Sequence, residues 1–204
     1  MRLIGIALVV ILLCACSTPN KSKKNYYSFE FQPNEIQNDS FTSNSRVLKV
    51  NQIKVVGVSD QQGIVQLLGK NKVSIAQNHF WAENPSYMLG KTLQQALQNK
   101  LTHWQVTSTK VPSSNSSALL LSVEVSDFAG HDEAGAVISG RWYIYEQTSQ
   151  GNKLLTHHMF TLSTALSSNG FSALVNALQT SWLNLANQIA TELTLLTKSP
   201  ADTN

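Results

Sequence analysis

The closing stretch of this chain limits its fold more than any other feature. Phe171, Leu174, Val175, Leu178, Trp182, Leu185, Ile189, Leu193 and Leu196 recur mostly at steps of three and four. Together they mark one side of a helix about seven turns long. A helix with such a stripe gains most of its stability by packing it away from water, so the rest of the chain must present a matching apolar face. Ser168 or Asn169 is placed to cap its start, and Pro200 lies just beyond its end.

The clearest candidate for that face is Leu119, Leu121, Val123 and Val125, which alternate with Leu120, Ser122, Glu124 and Ser126. Alternation of this kind describes a strand with one buried side. Strand-like segments over 136–148 and 153–162 flank the turn residues Gln150-Gly151-Asn152, and three consecutive antiparallel strands are the simplest arrangement. Upstream, the aromatic Tyr26-Tyr27-Ser28-Phe29-Glu30-Phe31 reads as extended, and residues 47–58 read as one central strand. Residues 64–68 and 72–76 form a candidate hairpin around Gly69-Lys70-Asn71. A shorter helix begins at Asn84-Pro85, where asparagine caps free amides and proline suits the first helical position. Its buried side is Leu89, Leu93, Ala96, Leu97 and Leu101. The expected fold is α+β: a single domain, a mostly antiparallel sheet, and two principal helices packed on one face.

The N-terminus is of another kind. Met1-Arg2 precedes an apolar run over 3–13 and then Cys14-Ala15-Cys16, the three-part plan of a signal peptide. The run is eleven residues long, short of the roughly 20 that a membrane-spanning helix needs. Leu13-Cys14-Ala15-Cys16 resembles the lipobox of bacterial lipoproteins. The resemblance implies that a diacylglycerol is attached to the Cys16 sulfur, that the chain is cut before it, and that the new amine is acylated. Several acyl chains make a stable anchor where one is reversible; secretion with a free Cys16 is the competing reading. Lipoproteins with aspartate after the cysteine tend to stay in the inner membrane, so Ser17 implies the periplasmic face of the outer membrane.

Cys14 and Cys16 are the only cysteines. If the first leaves with the signal peptide and the second becomes a thioether, no disulfide and no catalytic thiol remains. Removal of residues 1–15 leaves 189 residues, suited to one domain with a sizeable core. The expected division is 1–15 signal peptide, 16–25 lipidated cysteine and flexible tether, 26–197 folded domain, and 198–204 disordered tail. Charge is low, with 15 Lys+Arg against 12 Asp+Glu. The one basic cluster, Lys21, Lys23 and Lys24, lies beside the anchor, where it suits lipid headgroups better than nucleic acid.

Candidate chemistry is sparse. The stretch from Gly63 to Lys70 looks like a phosphate loop but has five residues between its glycines, where that motif needs four, and Asn71 stands where Ser or Thr would bind magnesium. His157 and His158 are neighbours on a strand and point to opposite faces, so they cannot share one ion. His131-Asp132-Glu133 reads as a solvated turn. No Gly-x-Ser-x-Gly or His-Glu-x-x-His occurs, and no nucleophile with its base can be assigned. The expectation is a protein that is not an enzyme, without cofactor or metal, in which lipidation at Cys16 is the only assigned chemistry. Phe80-Trp81-Ala82-Glu83 precedes the first helix and admits two readings. Either Trp81 packs in the core while Glu83 caps the helix, or Trp81 and Glu83 form an edge that contacts a partner.

At these residues the chain resembles the ABC-type transport auxiliary lipoproteins. Tyr26-Tyr27-Ser28-Phe29 is similar to the Tyr-Tyr-x-Leu start of that family, and Val55-Val56-Gly57-Val58 with Gly63-Ile64-Val65 to its Val-x-x-Val strand and the Ile-Val segment after it. Trp81-Ala82-Glu83 is similar to its Trp-Ala-Glu-Pro, and residues 171–178 to the opening of its last helix. Asn84 intrudes before Pro85, and Phe80 replaces a frequent arginine. The resemblance implies an outer-membrane-anchored accessory lipoprotein of an MCE/ABC-type, Pqi-like intermembrane lipid transport system. Its implied partners are an MCE-domain periplasmic protein, the ABC-type or Pqi-type inner-membrane transporter behind it, and the membrane that holds the anchor; self-association is left open. The alternative from a different class is a lipoprotein that itself holds a lipid or other apolar ligand between sheet and helices.

Overall fold

The computed structural model describes residues 23–30, 46–111 and 118–197. The expected signal peptide, Cys16, most of the expected tether, Phe31, Pro200 and residues 198–204 lie outside the described residues.

One long strand organises the sheet. β7 (Ala118–His131) has 14 residues, which at ~3.3 Å per residue makes it longer than any one of its neighbours on one side. On that side it pairs in succession with β2 (Arg46–Val50), β3 (Lys54–Val55) and β4 (Gly63–Leu68), all parallel to it. On the other side it pairs antiparallel with β8 (Gly135–Thr148), which pairs in turn with β9 (Gly151–Thr164). The sheet therefore forks. Past one end of β7, β6 (Trp104–Ser108) lies parallel to β2. Past the other, β5 (Lys72–Trp81) lies antiparallel to β4, and β1 (Asn25–Tyr27) runs parallel to β5 at its edge. The sheet is mixed: its long ladders are antiparallel, as expected, and its short ones parallel.

The segment read as one strand over 47–58 is three elements, β2, β3 and a 3-10 turn at Gly57–Ser59. Asn51 ends the first by turning its amide NH2 to the Ser122 hydroxyl at 2.7 Å, while its backbone N–H still bonds Leu121 O. Ser59 is buried because its hydroxyl accepts the N–H of Phe128, beside a bulge in β7. An unpartnered backbone donor at that depth would be costly.

Helix α1 (Pro85–Lys100) starts as expected, with the Asn84 side chain accepting the Ser86 N–H at 2.9 Å and proline in the first turn. Helix α2 (Phe171–Thr197) starts one residue later than the proposed caps, since Leu174 N–H bonds the carbonyl of Gly170. Both helices pack on the same sheet face. Leu89, Leu93 and Leu97 from α1 meet Leu178, Trp182, Leu185 and Ile189 from α2 over Leu121, Val125, Phe128, Ile138 and Ile144. This layer is filled by buried side chains. Trp182 joins the two helices directly, its indole N–H donating to Leu89 O at 3.0 Å.

The turn between β7 and β8 depends on Gly135. Its φ is +79°, and a Cβ there would sit 2.5 Å from the Thr164 carbonyl oxygen at the end of β9. Gly151 also has positive φ but open space around it. Gly135→Ala is therefore expected to cost about 1–3 kcal/mol, combining strained backbone with a clash. Gly151→Ala should cost visibly less in the same urea titration; equal losses would show that the contact with Thr164 contributes nothing.

Candidate docking surfaces

Three regions present chemistry to solvent. The first is the corner where β5 runs into α1. Trp81 does not form its surface: the ring is 1% exposed, stacked on Phe128 at 4.9 Å and edge-on to Phe29 at 6.0 Å. The expected partner contact through Trp81 is thus corrected, because a ring so enclosed has no face left for another protein. Glu83 is at the surface, but it does not cap the helix; Asn84 does. Its carboxylate instead takes the Lys91 ammonium at 2.7 Å and lies 3.4 Å from the Ser28 hydroxyl. Beside it stands Tyr87, 65% exposed, with the Lys91 ammonium 5.7 Å from its ring centre. Tyr87 and Lys91 are one helical turn apart and so share a side of α1. That spacing was available in the sequence, but the apolar stripe drew attention to the other side of the helix.

The backbone around Glu83 is held from two directions. Ala82 N–H bonds Tyr27 O at 2.7 Å, and Glu30 exchanges two 3.0 Å hydrogen bonds with the Gln179 side chain of α2. The segment after β1 is thereby clamped between α1 and α2, and Glu83, Tyr87 and Lys91 stand on a supported base. An exposed tyrosine flanked by both signs of charge is the kind of group that anchors protein contacts.

The second region lies at the far end of both helices. Arg46, Lys100, Leu101, His103, Trp104, Thr194 and Thr197 line a recess of about 280 Å³. The Arg46 guanidinium lies 5.8 Å from the Trp104 ring centre and donates to the Thr197 carbonyl at 3.1 Å. That carbonyl is at the negative end of α2, which accounts for the arginine structurally.

The third region is the sheet face away from the helices. Tyr143 stacks between Tyr145 and His157, at 6.1 and 6.2 Å, and Met159 is 82% exposed. His157 and His158 do point to opposite faces. His158 lies on the helix side, stacked on Trp142 at 4.4 Å with its ring nitrogen 3.5 Å from Glu192. Both rings are solvent-accessible. His131-Asp132-Glu133 is a surface turn whose Asp132 carboxylate accepts Gly69 N–H at 2.8 Å. Residues 63–68 form a strand, so the glycine-rich stretch has no phosphate-loop shape. Among the described residues no three His, Cys, Asp or Glu side chains gather as metal ligands.

A forked mixed sheet under two helices defines a small single α+β domain. The model of the ABC-type transport auxiliary lipoprotein component family matches residues 27–190, and the chain belongs to that family. It is a family of transport auxiliary components, not of enzymes. The chain is similar to the intermembrane transport lipoprotein PqiC of Escherichia coli (strain K12), 27% identical over 188 residues that span 92% of this chain and 95% of PqiC. The crystal structure of an uncharacterized protein has a TM-score of 0.70 at 26% identity, covering 84% of this chain and 99% of that one. The Xanthomonas campestris protein XCC0632 has a TM-score of 0.66 at 13% identity over 88% and 99%, a likeness of fold alone.

Proposed function

We propose that this chain is a lipid-anchored accessory subunit of an intermembrane lipid transport system. In this reading it is cut before Cys16, acylated there, and held on the periplasmic face of the outer membrane. Residues 26–197 form the working domain, which docks on an MCE-domain protein served by an ABC-type or Pqi-type inner-membrane transporter. The observation that carries the proposal is the family match over 27–190, downstream of the lipobox-like Leu13-Cys14-Ala15-Cys16. Anchor and domain then act together, because tethering raises the effective concentration of the docking surface and lets modest contacts suffice.

Glu83 is the proposed partner contact, with Tyr87 and Lys91 beside it and Trp81 as the buried support beneath. A photo-crosslinking amino acid at position 83 is expected to trap an MCE-domain protein, identified by mass spectrometry, in cells that express one. The same group at Thr102, beside the helix-end recess, should trap little of it. Crosslinking at 102 alone would move the docking surface, and no MCE adduct from either position would count against docking altogether.

A further inference from the structure

We infer that the tip of the β4–β5 hairpin rests against an anionic lipid bilayer and sets the orientation of the domain on it. This rests on the proposed acylation of Cys16 and adds to it a second, non-covalent membrane contact.

The length of the tether limits where the bilayer can lie. β1 runs parallel to β5 with Asn25 opposite His79, so the chain upstream of Asn25 leaves toward the hairpin turn. Cys16 lies nine residues before Asn25, and Lys70, in the turn, lies nine residues before His79. A nine-residue chain reaches at most ~30 Å, and nine residues of strand rise about the same. An anchor at Cys16 therefore cannot hold the bilayer beyond the hairpin. With the tether stretched along β5, the tip just meets the headgroups; with any shorter path, the tip or the β5 edge presses closer.

The tip also has the chemistry of a bilayer contact. Lys70 and Lys72 are exposed at the tip, whereas Lys23 and Lys24 lie beside the far half of β5, Lys24 with its ammonium 5.8 Å from the Phe80 ring centre. The carboxylates nearest the turn belong to Asp132, which is engaged by Gly69 N–H, and to Glu133. The two tip ammonium groups, with Asp132 already engaged, suit anionic headgroups. Just behind the lysines, Val73 and Ile75 are 45% and 46% exposed. They share one face of the hairpin with Leu67 and Val65, their register partners. Branched apolar side chains flanked by lysines fit the boundary between headgroups and acyl chains.

The test uses the full lipidated chain in vesicles of phosphatidylethanolamine and phosphatidylglycerol. Once Cys14 is removed and Cys16 acylated, an Ile75→Cys or Thr102→Cys variant has a single free thiol for an environment-sensitive fluorophore. Flotation with the vesicles reports the anchor; quenching by a lipid-borne quencher reports contact. The label at 75 is expected to be quenched several-fold more than the label at 102, and Lys70→Glu with Lys72→Glu should remove most of that difference. A chain that floats but shows equal quenching at both positions overturns the inference alone. So does a label at 75 that is shielded from water yet unreachable by the quencher, which would assign the patch to a protein. A chain that fails to float refutes the acylation, and the inference with it.

Discussion

Cys16→Ala, in a chain whose residues 1–15 are exchanged for the signal peptide of an unlipidated periplasmic protein, is expected to move the protein from the membrane fraction to the soluble periplasm almost completely. The exchange is needed because an uncleaved apolar run over 3–13 would itself retain the chain. The effect is large because each buried methylene contributes about 0.8 kcal/mol to membrane binding, and the implied anchor has several acyl chains. Among the described residues, no helix is long and apolar enough to cross a membrane. The hairpin contact inferred above is of the reversible kind and would not retain the chain through washing. The unfolding midpoint should not change, since among the described residues the buried core begins at Phe29. Immunoblots of washed membranes and periplasm decide the matter, and an alanine variant that stays with the membranes would remove the anchor from this account.

Trp182→Ala is expected to be the most damaging single change in the folded domain. The indole is fully buried at the junction of α1, α2 and the sheet, and its N–H is bonded to Leu89 O. Truncating a buried tryptophan typically costs ~3–5 kcal/mol through lost burial and the cavity left behind. Against a total stability of roughly 5–15 kcal/mol, that leaves a visibly unfolded population or a steep fall in urea midpoint. Trp182→Phe separates the two contributions. It keeps most of the ring and loses the hydrogen bond, for which about 0.5–1.5 kcal/mol is the usual net value. If the alanine and phenylalanine variants lose the same amount, the hydrogen bond matters and the packing does not, contrary to the arrangement described.

The two helices were legible because their spacing repeats over many residues and their starts carry recognisable chemistry. Asn84-Pro85 is a cap that works locally, and the stripe from Phe171 to Leu193 is buried along almost its whole length. Strand extents were harder to read. β5 reaches Trp81 rather than residue 76 because β1 pairs with its last three residues, and nothing local announces that partner. β7 runs to His131 through Asp127 and Gly130, residues that read as turn formers, because a bulge and the Ser59 hydroxyl absorb the irregularity. β6 carries no local signal: Trp104–Ser108 has no clean alternation, and it is a strand because it pairs along β2.

The candidate site divided in the same way. The proposed lipidation at Cys16 rests on consecutive residues, Leu13-Cys14-Ala15-Cys16, and so needs no fold to be proposed. The edge around Trp81 needed the fold. An aromatic residue before a helix suits a core or an interface equally, and only the rings of Phe29 and Phe128 closing over Trp81 distinguish the two. Tyr87 and Lys91 became visible as a surface only once Leu89 and Leu93 were seen to turn inward.

The most direct test of the central claim is co-purification of the full lipidated chain from gently solubilised cell envelopes in which an MCE-domain protein is also expressed. The account predicts that the MCE-domain protein elutes with it, and that Glu83→Lys weakens the association without lowering the unfolding midpoint. A chain that is acylated, folded and plentiful, yet elutes without the MCE-domain protein, would contradict it.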